Sequence, residues 1–362
     1  MNLRSNSEPT RRSKQRKPLY RMLLFTFVAL YLLGLSLISL MQLIGPERFW
    51  WSALNLYLPQ WIWALPGTGL LVGTLLSSAL KKKLPDRYSA ALIAISLVSL
   101  IWVAWPIMGF CWPISGRPPD VTAARLRVMT YNIKYYKTRN VDGDLSAIAK
   151  QITEAKPDLL LLQDASASLD GRIAELLRGW NVCAFGQYVI ASRLPLSESH
   201  VGSISFFGHS HSYLRCQLQV GTRFISIYDV HLLTPRSGLA AIRYREGISE
   251  FESETRARLV QAGELAEDLQ RETLPVIVAG DFNAPLASMV CRRATLGRLL
   301  DAFANAGRGY GYTYGHSLKF GKSFVRIDHV FVDPRLGVTD CWAGDASGSD
   351  HRPVIADIVI PR

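Results

Sequence analysis

At 362 residues the chain is long enough for about two folded units, taking roughly 150 residues per domain as a soft guide. Its net charge of +12 is lopsided: residues 1–116 carry 12 Lys/Arg against 3 Asp/Glu, a net of +9, whereas residues 117–362 carry 29 against 26, a net of +3. The basicity thus belongs to the first third, and the rest lacks the clustered positive excess of a surface that grips long nucleic-acid duplexes.

Residues 1–21 form a basic N-terminus with Arg11, Arg12, Lys14, Arg16, Lys17 and Arg21. Three uncharged apolar runs follow, Met22–Leu43, Trp61–Leu80 and Ser89–Met108, each long enough to cross about 30 Å of hydrocarbon as a helix. The first is too long for the apolar core of a signal peptide, and no small-residue cleavage site precedes Pro46. Residues 22–108 are therefore expected to be a three-helix anchor in contact with a lipid bilayer. Lys81, Lys82, Lys83 and Arg87 lie between the second and third runs, whereas the segment Ile44–Gln60 has one Arg and one Glu. Positive residues stay on the cytoplasmic side, so the N-terminus is expected inside and the third span leads outward. Trp50, Trp51, Trp61, Trp63, Trp105 and Trp112 then share the outer interface as an aromatic belt. The expected location is a multi-pass protein of the plasma or inner membrane with its C-terminal domain outside the cytoplasm.

Residues 109–124, with Gly109, Pro113, Gly116, Pro118 and Pro119, read as a short, stiff linker. None of the five cysteines (Cys111, Cys183, Cys216, Cys291, Cys341) forms a C-x-x-C pair, so a zinc site is not expected, and their spacing assigns no disulfide.

From residue 125 short apolar strands alternate with helical patterns, an α/β arrangement. Leu126–Met129 reads as a strand closed by Thr130-Tyr131-Asn132. Asp142–Ala155 is a predicted helix with Asp142 or Asp144 as N-cap and Leu145, Ile148, Ala149 and Ile152 on one face; Pro157 ends it. The strand Leu159–Leu162 closes at Gln163-Asp164, and Leu169–Leu177 is a second helix. Four strands follow, Tyr188–Ser192, Val201–Phe206, Tyr213–Val220 and Thr222–Tyr228, with a tight hairpin at Gly221 and His209 and His211 assigned to a surface loop. The last strand runs into Asp229-Val230-His231. Thr234–Gly247, carrying Arg236, Arg243 and Arg245, is either an ordinary loop or a flap over a substrate, and Glu250–Arg271 is a long charged helix. Leu274–Ala279 is a buried strand that stops at Gly280-Asp281-Phe282-Asn283. Arg326-Ile327-Asp328-His329 interrupts the strand Phe324–Val332, and Ser349-Asp350-His351-Arg352-Pro353 lies near the end. Carboxylates, amides and a carboxylate–imidazole pair at strand ends suit a hard divalent cation and an in-line attack on phosphorus.

In this order the motifs resemble those of the endonuclease/exonuclease/phosphatase superfamily, over residues 125–362. The resemblance implies a four-layer α/β/β/α sandwich and hydrolysis of phosphoester bonds with Mg²⁺ or Mn²⁺. It implies that Asp164 and Asp350, with Asn132, hold the metal, and that Asn132, His231 and Asn283 hold the phosphate. Asp281 and Asn283 would flank the attacking water, with His231 among the catalytic groups, and Asp328 and His351 would form a carboxylate–imidazole dyad whose His acts as base or as phosphate-stabilising acid. Asp164 departs from the pattern, which has Glu there. Its arm is shorter by about 1.3–1.5 Å, so it binds through a water, takes a larger ion or has lost binding. Arg193, Arg215 and Arg326 are expected in ion pairs or solvent rather than on substrate. The expected function is a membrane-anchored phosphoesterase cleaving phosphodiester bonds of nucleic acid or phospholipid, with no protein partner. The alternatives are a catalytically impaired phosphate-binding module and a phosphomonoesterase.

Overall fold

A computed structural model describes residues 12–80, 82, 84, 86–113, 123–134, 145–165, 172–315 and 323–361. The chain divides into two compact units, residues 1–41 with 61–107, and residues 42–60 with 108–362.

The first unit holds most of helix α1 (Arg12–Ile44), which is separated by the short α2 (Trp50–Asn55) from α3 (Leu65–Leu80) and α4 (Arg87–Trp102). Three stretches, Leu19–Ile44, Gln60–Leu80 and Arg87–Ile107, are long and apolar enough to cross a membrane. Several of their serine and threonine hydroxyls bond within their own helices: Ser36 to Leu32 O, Thr74 to Leu70 O and Ser96 to Leu92 O. That suits an apolar surrounding, which offers a hydroxyl no other partner. Gly67 packs so closely that a Cβ there would come within 2.7 Å of Ser99 Oγ. Small residues at such a contact let helix backbones approach. Pro106 cannot donate a helical hydrogen bond, and the last turn of the third stretch, Val103–Ile107, widens to a π-helix around it.

In the second unit the chain runs β1 (Ala124–Asn132), α5 (Ser146–Ala155), β2 (Leu159–Gln163), α6 (Arg172–Leu176), β3 (Asn181–Phe185), β4 (Tyr188–Ser192), β5 (Leu196–Phe206), β6 (His209–Val220) and β7 (Arg223–His231). It continues through α7 (Arg236–Ala241), α8 (Arg245–Arg271), β8 (Val276–Asp281), α9 (Met289–Ala294), β9 (Leu300–Asp301), α10 (Ala302–Ala306), β10 (Asp328–Val332), β11 (Gly337–Ala343) and β12 (Val354–Ile360). The strands make two six-stranded sheets, in the orders β11-β12-β1-β2-β4-β3 and β5-β6-β7-β8-β10-β9. Each is antiparallel except for one parallel pair, β1 with β2 and β7 with β8.

Side-chain alternation sorts these strands into layers. Leu126, Val128, Leu159 and Leu161 from one sheet meet Ile225, Ile227, Ile277, Ala279, Val330 and Val332 from the other in a common core. The opposite faces are covered by helices. Met129, Tyr131, Leu160 and Leu162 pack with Ile148 and Ile152 of α5. Tyr228, Val230, Val276 and Val278 pack with Ala262, Leu265 and Leu269 of α8 and with Val290 of α9. The result is the expected four-layer α/β/β/α sandwich, preceded by three apolar helices.

Local departures have local causes. His209 and His211 are not in a loop: they begin β6, whose pairing with β5 extends to Phe206 opposite His209. The strand expected from Phe324 starts at Asp328, because Val325 pairs with Tyr314 instead. Helix α8 begins at Arg245, ahead of the predicted Glu250. The hairpin at Gly221 forms, with φ at 62°. The predicted caps Asp142 and Asp144 and residues 114–122 of the predicted linker lie outside the described residues.

Candidate active site

Register builds the centre of the site. His231 on β7 lies opposite Asp281 on β8, which lies opposite Asp328 on β10, so three polar side chains form one row across three neighbouring strands. In the other sheet Asn132 on β1 lies opposite Gln163 on β2. All five occupy positions that face the other sheet and continue the apolar series Leu126–Val128, Leu159–Leu161, Ile225–Ile227, Ile277–Ala279 and Val330–Val332. Where these series turn polar, at one edge of the sandwich, the core becomes a site.

The groups there contact one another. Asn132 Nδ2 donates to Asp281 Oδ2 at 3.0 Å, and the backbone N–H of Asn283 donates to Asp281 Oδ1 at 2.8 Å. His351 Nδ1 lies 3.0 Å from Asp328 Oδ2, which turns Nε2 to within 3.7 Å of Asp281 Oδ2 and 3.9 Å of Asp350 Oδ1. His231 Nε2 is 3.6 Å from Asp281 Oδ2, while its Nδ1 lies 2.7 Å from Gln187 Oε1 and 3.7 Å from Asp164 Oδ1. Asp350 Oδ2 is 3.8 Å from Arg236 of α7, and Arg236 also donates to the Tyr314 hydroxyl, whose ring packs on His351 at 4.8 Å. Asn132, Asp281, Asn283, Asp328 and His351 are buried, and Asp164, His231 and Asp350 are half-buried.

Lys134, Asp164 and Asn283 each sit just past a strand end with φ between 47° and 53°. Such left-handed backbone is costly for residues other than glycine and collects at working sites. It aims Asn283 Nδ2 at Leu232 O, at 2.9 Å, and brings Lys134 Nζ to 2.7 Å from Asp164 Oδ2.

Charge is unevenly balanced here. Burial and the neighbouring Asp328 raise the Asp281 carboxyl above the usual range, outweighing the pull of His351 and His231. Burial alone would lower His351, but Asp328 and Asp281 reverse it and raise the imidazole. Burial lowers His231 despite Asp281 and Asp164. Asp164, which burial alone would raise, is held below the usual range by His231 and Lys134.

Every residue anticipated at the site is gathered there. Arg193 stacks on Trp180, Arg215 pairs with Glu272 and buried Arg326 pairs with Asp301, so none of the three is spent on the site. Lys134, Gln187, Arg236 and Tyr314 are the contacts that sequence reasoning missed or left undecided. Only Arg236, inside the suspected flap, carried a signal.

A family model described as Endonuclease/Exonuclease/phosphatase family matches residues 129–351, more than half of the chain. This chain belongs to that family. Family membership makes it a hydrolase of phosphoester bonds. No curated protein sequence matches it. Among solved structures, D. rerio TDP2 complexed with single strand DNA product is 15% identical with a TM-score of 0.53, covering 65% of this chain and 99% of that one. TDP2 from Caenorhabditis elegans is 17% identical with a TM-score of 0.51, covering 65% and 74%. At these identities the two structures show the endonuclease/exonuclease/phosphatase fold.

The donor set suits a hard divalent cation. Among the described residues, four carboxylates, Asp164, Asp281, Asp328 and Asp350, gather here, with Lys134 paired to Asp164 and Arg236 near Asp350. Oxygen donors with net negative charge are what Mg²⁺ and Mn²⁺ prefer. Asp281, Asp328 and His351 also bring ligand atoms within 4.8 Å of one another. However, His351 and Asp328 already hold each other, and both Asp281 oxygens accept hydrogen bonds.

Proposed function

We propose that this chain is a membrane-anchored, divalent-metal-dependent phosphodiesterase acting outside the cytoplasm. The observation that carries the reading is the His231–Asp281–Asp328 row with His351 turned toward Asp281. In it one carboxylate and one imidazole are pressed into complementary roles.

Asp164 and Asp350, with the amide oxygen of Asn132, would hold the ion. When bound, it supplies polarisation of a phosphoryl oxygen and charge to offset the developing anion. The protein's own groups do the rest. Asp281 is fixed by the Asn283 N–H and the Asn132 amide, and burial makes it a stronger base than a free carboxylate, so it orients water and accepts its proton. His351 is raised by the two carboxylates beside it and serves as the imidazolium that donates from Nε2 to the phosphoryl oxygen; Asp328 fixes its Nδ1. His231, whose Nε2 lies 3.6 Å from Asp281, would hold a remaining phosphate oxygen, joined by the second N–H of the Asn283 amide, which already donates to Leu232 O. Such pre-aligned groups act most strongly where charge develops in a water-poor site.

A phosphodiester substrate is favoured by the single-strand DNA product that a structural relative carries. The apolar helices favour a reaction close to lipid. External placement is supported by the basic segments flanking the first two candidate spans. It is also supported by the segment 42–60, which packs as one unit with residues 108–362 and so shares a side of any membrane with them.

The test is hydrolysis by the full chain in nanodiscs. Bis(p-nitrophenyl) phosphate should be cleaved with Mg²⁺ or Mn²⁺, lost with EDTA and restored by the ion. Single-stranded DNA and phospholipid vesicles as parallel substrates assign the leaving group. A well-folded chain that binds inorganic phosphate but cleaves no diester would be a binding module, and the reading would fall.

A further inference from the structure

Lys134 is the buried charge that the proposed chemistry leaves unused. It stands two positions beyond the end of β1, with φ at 47°, and its backbone N–H donates to Asn132 Oδ1 at 3.2 Å. That turn folds the side chain back over the strand ends. Nζ stops 2.7 Å from Asp164 Oδ2, with the two side chains only 10% and 17% exposed. At that distance the ammonium and the carboxylate form an ion pair. The carboxylate it neutralises is the one with the shorter arm, at the position where the family pattern has Glu.

Resting on the metal-dependent reading above, we propose that the Lys134 ammonium and a divalent cation compete for the Asp164 carboxylate. Before the ion arrives, the lysine is a cation paired with Asp164. A dication and an ammonium sharing one carboxylate repel strongly at such short range, so the arrival of one displaces the other. A four-carbon stem lets the ammonium swing without moving the backbone. Its released N–H donors can then pair with a phosphoryl oxygen, so substrate supplies the anion that Asp164 gives up. Ion and substrate then bind with positive coupling, each tightening the other by the same factor.

The experiment titrates Mn²⁺ into the full chain in nanodiscs without substrate and reads the free-ion EPR signal. Lys134→Met should bind Mn²⁺ at least tenfold more tightly than the parent, and Lys134→Arg within twofold of it. Lys134→Gln, isosteric enough to guard against misfolding of the Met variant, should follow the Met variant. In an Asp164→Asn background the gain from Lys134→Met should vanish. Equal affinity in parent, Met and Gln variants would overturn the competition while leaving metal dependence intact. No Mn²⁺ binding by parent or variants would remove the ion itself, and the proposal with it.

Discussion

The phenol of Tyr57 donates to the backbone carbonyl of Asn283 at 2.9 Å, joining residues 226 positions apart. Tyr57 meets Phe251 edge-on at 6.2 Å, and the Arg258 guanidinium lies 5.8 Å from its ring. Burial pushes the phenol well above its ordinary range, so it remains a donor. Asn283 holds a left-handed backbone, and its N–H anchors Asp281. Tyr57 therefore braces the turn that positions the proposed base. Tyr57→Phe removes the donor but keeps the ring, at a cost of about 0.5–1.5 kcal/mol for the bond. We expect kcat to fall about three- to tenfold with KM unchanged, measured on the full chain. An unaltered kcat would mean that the brace is only structural.

Asp281→Asn and His351→Ala should each lower kcat by about 10²–10⁴, the usual contribution of a positioned acid or base. KM should stay within a few-fold, since these groups act in the transition state. The two losses should fall short of additive in the double variant, because the side chains face each other at 3.7 Å.

Asp301 allows a test of stability away from the catalytic row. Its carboxylate takes two hydrogen bonds from Arg326, at 2.7 and 2.8 Å, and lies 2.9 Å from His329 Nδ1. Burial would raise it, but Arg326 and then His329 hold it far below the usual range. A depressed carboxylate contributes stability above its unfolded pKa of about 3.9, and that contribution is lost as pH falls toward the folded value. Asp301→Asn should cost about 3–5 kcal/mol at pH 7 by leaving Arg326 buried without its partner. The Tm gap between parent and variant should then narrow below about pH 4. A gap constant from pH 7 to pH 3 would contradict this account.

Topology is testable without chemistry. A reporter active only outside the cytoplasm should work when fused after Arg362 and be silent when inserted within Lys81–Arg87. The opposite pattern would place the site, and its substrate, in the cytoplasm.

The fold and most of the site were legible because both follow from one rule. Apolar strands that face a second sheet must end in polar residues where the core ends, and Asn132, Asp281 and Asp328 sit at those ends in the sequence itself. His231 was legible for the same reason. Lys134 was not, because its role depends on a left-handed turn that folds it backward, and a lysine after a strand ordinarily points to solvent. His211 was misplaced because His-Ser-His reads as polar loop, whereas pairing with β5 makes it strand and brings its ring to Gln187 and the His231 carbonyl. Tyr57 gave no signal at all. Nothing local links a residue between two apolar runs to a turn more than two hundred positions later.

The segment holding Tyr57 is tied down along its length. Arg292 reaches the carbonyls of Gln42 and Leu43, and Glu47 accepts from Ser288 Oγ and from the Met289 N–H at the start of α9. These residues precede the second candidate span, so they stay with the helices if the chain is cut between 109 and 124. Proteolytic shedding at that point would release a domain stripped of the brace behind Asn283. An expression fragment beginning at the linker would likewise lack that brace and under-report the activity of the whole.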